Sequence, residues 1–157
     1  MFKKYGPYIG FSAIALGAGG VSAMVSQSAM RQVYDSLRRP PLAPPGWVFP
    51  AAWTILYILM GVSAGIVWKK SSGSARSGAM RLWGVQLFVN ALWTVIYFDF
   101  EARLVSFLWL LLLLGLVIAM TDRFGKISGA AGKLNWPYIA WLCFAAYLNL
   151  GTYLLNG

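Results

Sequence analysis

Gln86 and Asn90 stand one helical turn apart in an apolar stretch, where an amide without a partner is costly. Trp83, Trp93 with Thr94, and Tyr97 follow the same three- and four-residue spacing, so all of them share one helix face. Tyr138, Trp141, Ala145, Asn149 and Thr152 form a second such stripe, and Trp53 and Tyr57 stand one turn apart in a third segment. Three segments that offer aromatic planes and a few amides suit a pocket for a flat, mostly apolar ligand. Ala145 matters on that reading, because a small side chain leaves room for a ring. The plainer reading is that Trp53 and Trp141 fill a core. Asn90 and Asn149 would then be hydrogen-bond glue between helices, worth about 0.6–2 kcal/mol each. The stripes alone leave both readings open.

Other chemistry is missing. The chain has no histidine, which removes the commonest general base and the commonest metal ligand together. Its acids are Asp35, Asp99, Glu101 and Asp122, all expected in loops or at segment ends. No clustered His, Cys or carboxylate set suggests a metal site, so none is expected. A lone Cys143 within an apolar run rules out an intrachain disulfide. No nucleophile–base pair and no phosphate-cradling glycine loop is evident, so a conventional enzyme is not expected. A carboxylate at mid-membrane, the usual mark of proton-coupled transport, is also missing.

The elements that must position these residues are membrane-spanning helices. Hydrophobic residues make up 59% of the 157 and charged residues only 11%, against about 25% charged in ordinary soluble domains. Five apolar runs of about 20 residues each can be marked, at residues 6–27, 47–68, 80–98, 104–121 and 134–155. The fold class expected is therefore an all-α bundle of five transmembrane helices forming a single domain over residues 1–157. The first run could instead be a signal peptide, since Lys3 and Lys4 precede it, but its length favours a retained span. The net charge of +9 does not point to nucleic acid, because the basic residues sit in gaps between apolar runs, where they meet lipid headgroups. Nine of them lie before the first run, between the second and third, or between the fourth and fifth. Only Arg31, Arg38, Arg39 and Arg103 lie on the other side. The positive-inside rule then places the N-terminus in the cytoplasm and the C-terminus outside, as in a bacterial plasma membrane whose first loop faces outward.

That first loop, residues 28–46, carries Tyr34, Asp35, Arg38 and Arg39, then Pro40, Pro41, Pro44 and Pro45. Proline disfavours helix before it, so the second half reads as a stiff extended segment, either a lid or a rigid elbow. Residues 71–77, rich in glycine and serine, read as a flexible connector. Gly6, Gly10, Ala13, Gly17 and Gly20 form a small-residue stripe down the first helix, and Gly61 and Gly65 a GxxxG pair on the second. Both serve close helix contacts, within the bundle by preference or in a homodimer. Trp47, Trp68 and Trp136 sit at span ends and suit the aromatic belt of a membrane interface.

One family resemblance covers nearly the whole chain. Tyr34-x-x-Leu37-x-x-Pro40, followed by Pro44-Pro45-Gly46-Trp47-Val48-Phe49-Pro50-x-x-Trp53-Thr54-x-x-Tyr57, resembles the signature of the tryptophan-rich sensory protein and translocator protein (TspO/MBR) family. Asn90-x-x-Trp93-Thr94 and Trp136-Pro137-Tyr138-x-x-Trp141 are similar to it as well. The resemblance implies a five-helix bundle, often dimeric, with a pocket near the first loop. It implies binding of porphyrins such as protoporphyrin IX, and synthetic benzodiazepine-receptor-type ligands among the mitochondrial members. It also implies, for some bacterial members, light-dependent oxidative breakdown of protoporphyrin. Carried onto this chain, the family's pocket residues fall on Tyr34, Trp53, Asn90, Trp141 and Ala145, and the breakdown activity on Trp53 and Trp141.

The residues add detail to that expectation. With no histidine, haem would lack its usual axial ligand, so a metal-free ring held by stacking is the simpler ligand, with no separate cofactor. Arg38 and Arg39 are placed to meet propionates at the pocket mouth. The animal members' C-terminal sterol-recognition pattern is incomplete here, because no basic residue follows Tyr153. Sensing, scavenging or regulation of tetrapyrroles is the function expected. Export or translocation of apolar compounds is the alternative.

Overall fold

Backbone amides in lipid must find partners within their own segment, so long apolar runs wind into helices. The computed structural model describes residues 2–36, 38–45, 47–100 and 102–156, and for residues 2, 3 and 26–36 the backbone alone. Its elements are α1 (Phe2–Ser36), α2 (Val48–Lys70), α3 (Gly73–Thr94) closed by a π-helical turn (Val95–Asp99), α4 (Arg103–Ile127), the short α5 (Gly129–Lys133) and α6 (Trp136–Asn156). Among the described residues five stretches are long and apolar enough to cross a membrane, as expected. No strand occurs among the described residues.

Three boundaries differ from the sequence reading. The first helix continues past residue 27 to Ser36, so half of the expected loop is helix. Ala29, Met30, Arg31 and Gln32 are good helix formers, and no glycine or proline interrupts them before the proline cluster. The supposed flexible connector is largely helix too, because α3 begins at Gly73 and only Ser71 and Ser72 stay outside. Arg76 secures this corner by lying 4.2 Å over the Trp68 ring and donating to the Trp68 carbonyl. Likewise α4 runs to Ile127, beyond the expected end at residue 121.

Within the bundle α1 packs on α2 and α3, α4 on α3 and α6, and α5 on α2. The GxxxG pair on α2 makes close contacts with α1. A Cβ at Gly61 would lie 2.2 Å from Ser12 Cα, and one at Gly65 would lie 3.0 Å from Tyr8 Cα. The stripe on α1 behaves differently and corrects the preference for internal packing. Nothing lies within 4 Å of a Cβ at Gly6, Gly10, Gly17 or Gly20, so this face points out of the bundle. Instead α1 packs through Tyr8, Ser12, Ala15, Gly19 and Ser22, with Ser22 Oγ donating to the Ala91 carbonyl at 2.7 Å. Through these residues α1 packs against α2 and α3.

Basic residues gather at one end, where Lys69 Nζ donates to the Lys4 carbonyl and a Cβ at Gly78 would meet Arg123. The other end carries the segment between α1 and α2. Its Pro40 carbonyl accepts from the Ala43 amide at 3.2 Å, closing a turn over Pro41 and Leu42, so the segment is not extended throughout. Leu42 takes a φ of 72°, a position that favours glycine.

Candidate functional site

At this loop end α2 and α6 stand apart, and aromatic side chains rather than backbones meet across the gap. Trp53 stacks on Tyr57 with ring centroids 5.6 Å apart, and stands edge-on to Tyr138 at 6.1 Å and to Trp141 at 6.3 Å. Phe49 closes on the other side of Trp141 at 5.9 Å. From α3 and its π turn, Trp93 and Tyr97 stack at 5.2 Å, and Phe98 stands edge-on to Tyr97 at 4.7 Å. Between these rings lies a cavity of about 720 Å³. Small-molecule sites occupy about 300–1,000 Å³, so this is a ligand-sized hollow.

The sequence-expected residues whose side chains are described divide into three groups. Trp53, Tyr57, Trp93, Trp141, Ala145 and Arg39 line the cavity. Asn90 and Tyr138 lie behind its wall in a buried chain of hydrogen bonds. Tyr57 Oη donates to Asn90 Oδ1 at 2.8 Å, Asn90 Nδ2 donates to Tyr138 Oη at 2.7 Å, and Tyr138 Oη donates to Gln86 Oε1 at 2.8 Å. This chain fixes the tilt of Tyr57, and hence of Trp53 stacked on it, without offering Asn90 to a ligand. Arg38 forms the third group. It is exposed, does not line the cavity, and engages α6 through its backbone. The Tyr34 side chain falls outside the described residues.

Asn149 shows the same division of labour as Asn90. It lines the hollow, yet its Oδ1 accepts from Trp93 Nε1 at 3.1 Å and from Ser106 Oγ at 3.2 Å, while its Nδ2 donates to the Arg103 carbonyl at 2.9 Å. Trp141 Nε1, by contrast, is buried with no hydrogen-bond partner among the described residues. Such a donor costs about 1–3 kcal/mol until an acceptor reaches it.

The segment between α1 and α2 lies over the hollow, with Arg39, Pro40, Ala43 and Trp47 on the wall. Hydrogen bonds tie it to α6. The Arg38 amide donates to Asn156 Oδ1 at 3.0 Å, Asn156 Nδ2 returns a bond to the Arg38 carbonyl at 2.8 Å, and Tyr147 Oη donates to the Pro41 carbonyl at 2.6 Å. Pro40 also rests on Gly151, where a Cβ would come within 2.7 Å of the proline ring. The geometry is that of a lid clamped to a neighbouring helix. Sequence reading missed the contribution of α1, whose Gly19, Ala23 and Met24 complete the wall. Small residues there carry no signal that separates a cavity wall from a packing face. Met24 is 76% exposed, so the hollow reaches the side of the bundle at this point.

These features define a helical membrane protein with a lidded, aromatic cavity at one end. The family model described as TspO/MBR family matches residues 11–154. Protein CrtK of Rhodobacter capsulatus is 38% identical over 144 residues, covering 88% of this chain and 86% of that one. The tryptophan-rich sensory protein of Cereibacter sphaeroides is 37% identical over 124 residues, covering 78% and 76%. The human translocator protein is 34% identical over 152 residues, covering 95% and 89%. The chain belongs to the TspO/MBR family.

Proposed function

We propose that the cavity binds a metal-free porphyrin such as protoporphyrin IX and that the protein serves as a sensor or scavenger of tetrapyrroles. The observation that carries this reading is the hollow itself, of about 720 Å³ and walled by indole and phenol rings from three helices. A flat conjugated ring gains stacking from Trp53, Trp93 and Tyr97, and Ala145 leaves a gap for its edge. Arg39 on the wall supplies a guanidinium for a propionate, whereas Arg38 is not placed to do so. The same site would take synthetic ligands of the benzodiazepine-receptor type. The membrane is read as a bacterial plasma membrane, with the lidded end outward.

Light-dependent breakdown of the ligand is the second reading, favoured by Trp53 and Trp141 standing 6.3 Å apart on the wall. The ring would absorb the light, dissolved dioxygen would be the oxidant that accepts its electrons, and the two indoles would position the ring and relay electrons. Titration of the purified protein with protoporphyrin IX in the dark, followed by tryptophan fluorescence, tests binding. Saturable quenching is expected, with affinity falling about tenfold in Trp53→Phe and again in Trp141→Phe. Absence of saturation would refute the reading. Loss of porphyrin absorbance under light, with wild type but not with the double variant, separates turnover from binding.

A further inference from the structure

A second hollow lies on the outside of the bundle at its basic end, between the last turns of α4 and the α5–α6 corner, with a volume of about 460 Å³. It exists because three glycines meet there. A Cβ at Gly132 would come within 2.9 Å of Gly125 Cα, so the two backbones touch, while a Cβ at Gly125 or Gly129 would point into open space. Ile118 continues the groove along α4 toward mid-membrane, and Lys126, Lys133 and Trp136 form its rim. Trp136 is 60% exposed at the start of its span, the depth at which tryptophan meets headgroups.

We infer that this groove is a binding site for one anionic phospholipid. An apolar furrow on the lipid-facing side of a spanning bundle is filled by an acyl chain, which here would lie over the glycines toward Ile118. The phosphate then falls at the rim, within reach of Lys126 and Lys133. Asp122 is the opposing charge and already pairs with Lys126 at 3.1 Å. The rim therefore keeps one positive charge in excess, carried chiefly by Lys133. A charge at that level complements an anionic headgroup and gives no advantage to a zwitterionic one.

The test is native mass spectrometry of the full chain, released from nanodiscs of equimolar phosphatidylglycerol and phosphatidylcholine. Wild type is expected to retain one phosphatidylglycerol in preference to phosphatidylcholine. Lys133→Gln should reduce that preference about fivefold, the factor that corresponds to one lysine near an anionic surface. Lys126→Gln should reduce it less, because its charge is shared with Asp122. Gly125→Leu, whose side chain enters open groove, should abolish retention of either lipid while leaving the thermal melt unchanged. Equal retention of the two lipids by wild type would overturn the proposal. So would an unaltered ratio in Lys133→Gln, or a second copy of the chain occupying the groove in a lipid-free dimer.

Discussion

Tyr138 carries no ligand-facing surface, yet its hydroxyl joins α3 to α6 twice, accepting from Asn90 and donating to Gln86. Tyr138→Phe leaves both amides short of a partner in a dry interior. It should cost about 1–2 kcal/mol, read as a lower melting temperature in detergent. Its effect on porphyrin affinity should be smaller than that of Trp141→Phe, because Trp141 is on the wall and Tyr138 is behind it. The inward direction of Gln86 and Asn90 was legible from sequence, since an amide in an apolar run has nowhere else to go. That Asn90 would be consumed by two tyrosines was not. Its partners depend on how α2 and α6 are rotated, and spacing within α3 carries no information about that.

Small residues on α1 and α2 look equivalent in sequence and are opposite in structure. A Cβ at Gly61 overlaps the α1 backbone, so Gly61→Ala should destabilise by about 1–3 kcal/mol, while Gly17→Ala, facing outward, should stay within about 0.5 kcal/mol of wild type. Paired thermal melts in one detergent would check the contrast. The clamp between the lid and α6 gives a second expectation at this scale. Asn156→Ala removes two hydrogen bonds to the lid, each worth about 0.5–1.5 kcal/mol, besides one within α6, and should release the Arg38 amide to solvent. Hydrogen exchange at Arg38 would speed up, and porphyrin dissociation measured by stopped flow would accelerate by about three- to tenfold for each bond lost. The prolines announced a shaped segment but not what holds it. Asn156 lies more than a hundred residues away and reads locally as the end of a helix. The length of α1 was misread for a different reason. A polar, proline-free stretch after an apolar run is compatible with loop or with helix continuing into water, and only the proline cluster forces a stop.

At the scale of the molecule, five apolar runs and an uneven distribution of positive charge were enough to define the architecture, because lipid leaves so few alternatives to helices. The same unevenness predicts orientation. In a Cys143→Ala background, Leu42→Cys, 82% exposed on the lid, should react with a membrane-impermeant maleimide in intact cells. Ser72→Cys, between α2 and α3, should react only after permeabilisation, and the reverse pattern would invert the topology. The chain of amides and phenols behind the cavity bears on traffic through the molecule. Gln86, Tyr138 and Met60 are all but inaccessible, and Trp83 Nε1 donates to the Met60 carbonyl at 3.2 Å just beyond them. In this conformation the hollow is therefore a cul-de-sac. A guest would have to come and go at the lidded end or beside Met24, and passage to the far leaflet would require the hydrogen bonds behind the rings to part first.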